Sequence, residues 1–150
     1  MSNPTSPVII IPARMAASRL PGKPLADLAG KPRIQHVWER AAEADLAPVW
    51  VATDHADIAA VIQDAGGNAV MTRADHPSGS DRVFEAAETI DPDHCHDAIL
   101  NLQGDLPELD PAVPHALLAA MAHQDAALAT LVTPASDEEV AVSYTHLRAH

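Results

Sequence analysis

Three observations predict an α/β fold with a mostly parallel sheet. Val8-Ile-Ile-Ile11 is a continuous β-branched run, the mark of a strand buried on both faces. Further apolar runs alternate with segments of helical periodicity, as right-handed βαβ units require. The 150 residues are 47% hydrophobic but only 3% aromatic, so the core is built from Ala, Val, Leu and Ile, the usual filling between helices and a parallel sheet.

Taken in order, the first strand is Val8–Ile11, ended by Pro12. Residues 12–30 carry several Pro and Gly and no sustained period, which reads as loop. Pro32 then opens a helix with Ile34, Val37, Trp38 and Ala41 inward and His36, Glu39, Arg40 and Glu43 on the wet side. Val49–Thr53 is the second strand. Asp54 is placed to cap the next helix, which buries Ile58, Val61, Ile62 and Ala65 and stops at Gly66. Ala69–Thr72 is a third, short strand. After a loop at Arg73–Gly79, Ser80 is the expected cap of a helix burying Val83, Ala87 and Ile90. Ala98–Leu102 is the fourth strand. Asp110-Pro111 pairs an N-cap with a proline at the first helical position, for a helix running to Met121. A fifth strand is expected at Ala127–Val132.

The formal net charge of -12 argues against nucleic acid or an anionic membrane as a partner. Yet six of the nine Lys and Arg residues (Arg14, Arg19, Lys23, Lys31, Arg33 and Arg40) fall in one early stretch. A basic patch on an acidic protein fits a small polyanion. A solvated helix face accounts for Arg33 and Arg40, but not for Arg14, Arg19 and Lys23 among prolines and a glycine. Cys95 is the single cysteine, so no internal disulfide forms and a reducing compartment is expected. The first residues lack a positive n-region, and the apolar run after them is too short to span a bilayer, so the expected location is the cytoplasm.

Ligands of open parallel sheets bind at the carboxyl ends of the strands. The segments richest in unusual chemistry, Arg14–Lys23, Arg73–Arg82 and Gln103–Pro107, lie at those ends. The first, Pro12-Ala-Arg-Met-Ala-Ala-Ser-Arg-Leu-Pro-Gly-Lys23, is neither a dinucleotide fingerprint nor a P-loop. It supplies two guanidiniums and an ammonium on a loop directly after a buried strand. Arginine forks match phosphate oxygens, and lysine adds a mobile charge. A phosphate site is favoured there over a bare basic loop.

At this point the sequence resembles a known family. Ala13-Arg-Met-Ala-Ala-Ser-Arg-Leu-Pro-Gly-Lys-Pro-Leu25 is similar to the signature loop of sugar-activating cytidylyltransferases. Val51-Ala-Thr-Asp-His55, Met71-Thr-Arg-Ala-Asp-His76, Ser78-Gly79 with Arg82, and Asn101-Leu-Gln-Gly-Asp105 with Pro107 resemble the 3-deoxy-manno-octulosonate (Kdo) cytidylyltransferase family within them. The resemblance implies a Rossmann-like nucleotidyltransferase, three-layer α/β/α. It also implies transfer of CMP from CTP to Kdo with release of pyrophosphate, for lipopolysaccharide assembly. Arg14 and Lys23 would bind the CTP phosphates and stabilise the leaving pyrophosphate, with Arg19 nearby. Arg73, Ser78 and Gly79 would help form the cytidine pocket, Gln103 would contact the nucleotide, and Asp105 would bind Mg2+. The implied partners are CTP and Kdo, with a homodimeric full-length parent. Apart from the resemblance, Asp105 reads equally well as a turn aspartate after Gly104.

Other readings stay beside this one. A sialic acid is an alternative acceptor, and a nucleotide-binding module without turnover is an alternative of another class. Leu106 stands where much of the family carries an acidic residue, and no role transfers to it. His55 and His76 lie near the expected site edge, either as substrate contacts or as idle loop histidines. In Asp91-Pro-Asp-His-Cys-His-Asp97 the donor atoms occupy a polar turn without the second ligand pair that a structural zinc site needs. Residues 1–140 are expected to form the N-terminal part of an incomplete cytidylyltransferase domain, truncated at the C-terminus. Residues 141–150 read as a non-family tail, artefactual or disordered, and the 150-residue chain is expected to lack turnover.

Overall fold

The computed structural model describes residues 4–16, 21–124 and 127–130. Six strands and four helices are assigned among them: β1 (Pro7–Ala13), β2 (Asp27–Leu28), β3 (Lys31–Pro32), α1 (Arg33–Glu43), β4 (Val49–Thr53), α2 (Ala56–Asp64), β5 (Asn68–Met71), α3 (Gly79–Ile90), β6 (Ala98–Asn101) and α4 (Ala112–Gln124). The main sheet has the order β5-β4-β1-β6 and is parallel throughout, with Ile9 opposite Val49, Val8 opposite Ile99 and Val51 opposite Ala69.

Successive side chains of a strand point to opposite faces, and β1 uses both. Ile9 and Ile11 pack with Ile34 and Val37 of α1, Ile58 and Ile62 of α2, and Leu117 of α4. Val8 and Ile10 pack with Val83, Ala86 and Ala87 of α3. The three layers follow directly, with α1, α2 and α4 on one face and α3 on the other. Ile9, Ile10 and Ile11 are each 0% exposed. Burial of each such side chain contributes about 1.5–3 kcal/mol.

The expected α/β/α architecture is therefore present, with several local corrections. Pro12 does not end β1, which continues to Ala13. The N–H of Ile9 donates to the Pro48 carbonyl on the β4 side. With a period of two, the Pro12 nitrogen faces the β6 side, where pairing has stopped at Asn101, so its missing N–H costs no ladder bond. The expected loop at 12–30 contains a 3-10 turn (Lys23–Leu25), and β2 pairs with β3 around Ala29-Gly30, both at positive φ.

Two caps also differ. His55, not Asp54, caps α2 by accepting the Asp57 N–H at 3.3 Å. Ser78, not Ser80, caps α3 by accepting the Asp81 N–H at 3.2 Å. Asp110 accepts the Ala112 N–H at 2.9 Å at the start of α4, which runs on to Gln124. Residues 127–130 of the expected fifth strand are not in a strand, and 131–132 lie outside the described residues, as does the whole tail at 141–150. Among the described residues no helix is long and apolar enough to cross a membrane.

Candidate functional site

Three chain segments leave the carboxyl ends of β1, β5 and β6 and meet over the sheet edge. What lets them approach is Gly104: a Cβ there would sit 2.8 Å from the Pro12 carbonyl oxygen, so only glycine lets the post-β6 loop lie against the end of β1. Around this junction is a cavity of about 190 Å³ lined by Pro12, Ala13, Arg14, His76, Pro77, Ser78, Gly79, Arg82 and Gln103.

Four of the residues expected from sequence, Arg14, Ser78, Gly79 and Gln103, thus share one cavity. Ser78 and Gly79 bring to it the N-terminus of α3, the helix end whose dipole favours anions. The Ser78 hydroxyl is engaged with Asp81. Gln103 is tethered through its Nε2, which donates to Asn101 Oδ1 at 3.3 Å, and Asn101 in turn donates to Ser80 Oγ at 3.4 Å.

Lys23 and Asp105 are not among its lining residues but meet each other, with Nζ and Oδ2 3.7 Å apart and side chains 34% and 58% exposed. The lysine expected to bind phosphate and the carboxylate expected to bind a metal are thus brought together. Asp105 also borders a second cavity of about 470 Å³, with Leu28, Arg33 and residues 106–109. The Arg33 Nε is buried without a hydrogen-bond partner, which the solvated-face reading did not foresee. Arg73 is not brought into the cavity: its Nε donates to Asp75 at 3.1 Å and its side chain is 67% exposed. Arg19 lies outside the described residues.

The structure adds residues that sequence reasoning left unassigned. His76 is buried against Glu85 of α3, which also accepts the Arg73 N–H at 3.1 Å. The hydrogen bond from His76 is the main cause holding the Glu85 carboxyl below its ordinary value. Arg82, 2% exposed, donates to Thr72 Oγ1 at 2.5 Å and to Asp54 Oδ2 at 3.5 Å. A buried arginine on a helix that otherwise alternates wet and dry gives little sequence signal. The sequence clue was its place in the Ser78-Gly79-Ser-Asp-Arg82 block. At the far end of the sheet, Asp91 accepts the N–H groups of Cys95 and His96, each at 2.8 Å, closing the His94-Cys95-His96 turn.

A parallel sheet with helices on both faces, and polar loops converging at its strand carboxyl ends, defines the doubly wound nucleotide-binding class. A family model described as cytidylyltransferase matches residues 8–148, and the chain belongs to that family. The 3-deoxy-manno-octulosonate cytidylyltransferase of Methylobacterium radiotolerans is 55% identical over 133 residues, covering 89% of this chain and 54% of that protein. The protein of the same name from Methylorubrum populi is 58% identical over 127 residues, 85% of this chain and 51% of its own length. A solved CMP:2-keto-3-deoxy-manno-octonic acid synthetase complexed with CTP superimposes with a TM-score of 0.74 at 48% identity, covering 81% of this chain and 49% of that one. A cytidylyltransferase from Leptospira borgpetersenii, at a TM-score of 0.65 and 24% identity, shares the fold. The chain spans about half the length of the curated relatives it matches.

Proposed function

We propose that the protein carrying this chain transfers CMP from CTP to Kdo and releases pyrophosphate, a step that supplies activated sugar acid for lipopolysaccharide. The observation that carries the reading is the cavity joining Arg14, the α3 N-terminus and Gln103, together with the Lys23–Asp105 pair on the loops that follow β1 and β6. The names of the relatives at 55% and 58% identity support Kdo over a sialic acid as acceptor. The reaction forms a bond from the anomeric oxygen of Kdo to the α-phosphorus and breaks the bond to the β-phosphate oxygen. The hydroxyl proton is released. Such transfers depend on positioning and on neutralising charge rather than on a covalent nucleophile.

Within that reaction Arg14 and Lys23 bind the phosphates and stabilise the leaving pyrophosphate. Ser78, Gly79 and Gln103 hold the nucleoside, and Arg73 stands at the start of the loop that leads to Ser78. The residues present fit a magnesium ion to this extent: Asp105 offers an exposed hard carboxylate next to the phosphate-binding lysine. Among the described residues no group of three or more His, Cys, Asp or Glu side chains is placed to hold a metal, so phosphate oxygens and water would complete the shell. When bound, the ion supplies charge neutralisation at the triphosphate. The whole protein is read as a cytoplasmic homodimer.

The test is pyrophosphate release by a full-length protein carrying this chain, with CTP and Mg2+ and either Kdo or a sialic acid. Release with Kdo alone is expected. Release only with the sialic acid would reassign the acceptor, and CTP binding without release from either would leave a nucleotide-binding module.

A further inference from the structure

We infer that Arg82 and Asp54 act as positioning residues that hold the phosphate-binding loop in register, through a single backbone group, Met15 N–H. This rests on the nucleotide reading of the cavity but assigns a role that the reading does not contain. Arg82 and Asp54 form a buried pair, with side chains 3% and 10% exposed. The Arg82 guanidinium reaches Thr72, just past β5, and Asp54 Oδ2, just past β4. The other carboxylate oxygen, Oδ1, accepts the Met15 N–H at 3.4 Å, just past β1. One guanidinium thus links the carboxyl ends of three neighbouring strands.

Met15 is also where the two legs of the basic loop are joined. Its carbonyl accepts the Gly22 N–H at 3.1 Å. Arg14 precedes this clamp and Lys23 follows it, so the position of Met15 sets where both cations stand. Asp54 is free for this task because His55 takes over the capping of α2. A buried carboxylate needs its partner, and a guanidinium with two fixed acceptors gives the carboxylate one orientation. Pre-set loop geometry matters for phosphoryl chemistry because small misplacements of charged groups lose much of the rate.

The experiment follows Met15 amide exchange by NMR in the 150-residue chain, together with titration of CTP and Mg2+, in two variants. Arg82→Lys keeps the charge but cannot fork to Thr72 and Asp54. The double variant Asp54→Leu/Arg82→Met replaces the pair by apolar side chains, a change that buried pairs tolerate without unfolding. In each variant that folds, Met15 exchange is expected to rise at least about tenfold while the Ile9 and Ile11 amides keep their protection. CTP affinity is expected to fall by about tenfold or more. Unchanged Met15 exchange in Arg82→Lys overturns the proposal, whatever happens in the double variant. Raised exchange with unchanged CTP affinity also overturns it, since the clamp would then hold nothing the ligand uses. If the unmodified chain binds no CTP while Met15 exchange still responds, the clamp stands and the nucleotide reading fails.

Discussion

Two oppositely charged pairs stand at the same edge of the sheet, and their environments are opposite. Arg82–Asp54 is almost wholly buried, while Lys23–Asp105 is 34% and 58% exposed at 3.7 Å. Burial makes the first pair rigid and costly to break, because a lone charge would be stranded away from water. Exposure leaves the second cheap to part, so a ligand phosphate or a cation can take over either member. The edge therefore combines a fixed frame with charges free to be recruited.

The contrast is broken most directly by removing one member of the buried pair. Arg82→Ala is expected to cost about 3–5 kcal/mol in urea unfolding, because it strands the Asp54 carboxylate. A cost near zero would mean that water reaches Asp54 and that no rigid frame exists.

The exposed pair should behave in the reverse way. In a full-length protein, Lys23→Ala or Asp105→Asn is expected to lower turnover by about 10²–10³-fold, roughly 2.7–4 kcal/mol of transition-state stabilisation. Steady-state pyrophosphate release measures it. In the same variants, urea unfolding should shift by no more than about 1 kcal/mol. Normal turnover of Asp105→Asn at ordinary Mg2+ would reduce Asp105 to a turn residue.

A smaller effect tests the second wall of the cavity. Glu85 has a lowered carboxyl pKa, chiefly from the His76 hydrogen bond and, with opposite sign and smaller effect, from burial. A group whose folded pKa is lowered stabilises the fold above its unfolded value, 4.5 for this carboxylate, and loses that contribution as pH falls through the folded value. Glu85→Gln should slightly lower stability at neutral pH, where the contribution is present in the unmodified protein, and flatten the acid limb of the stability curve below about pH 4.5, where that contribution is lost anyway. An identical acid limb in both proteins would show that the His76–Glu85 contact does not persist in solution.

The same distinction between local and tertiary causes explains what the sequence made legible. Val8–Ile11 and the apolar run at Ala98 announced buried strands because burial on both faces leaves no room for polar residues. The β2–β3 hairpin went unread because two-residue strands have no period, and only Ala29-Gly30 marks the turn. Asp54 and Ser80 were misread as caps since each lies within two residues of another competent cap. Tertiary partners decide between them: Arg82 claims Asp54, and Ser78 stands at the loop junction. Arg14, Ser78, Gly79 and Gln103 were foreseeable as neighbours, because parallel strands deliver their carboxyl ends to one edge. Arg73 departs from the expected cluster for a local reason, its ion pair with Asp75 two residues on.

The central claim is that this edge is the nucleotide site, and one titration tests it most directly. CTP with Mg2+ is added to the 15N-labelled chain, and amide shifts are followed residue by residue. The account predicts the largest changes at Arg14, Ser78, Gly79 and Gln103, lost in Arg14→Ala. Changes confined to other surfaces, or no saturable change at all, would contradict it.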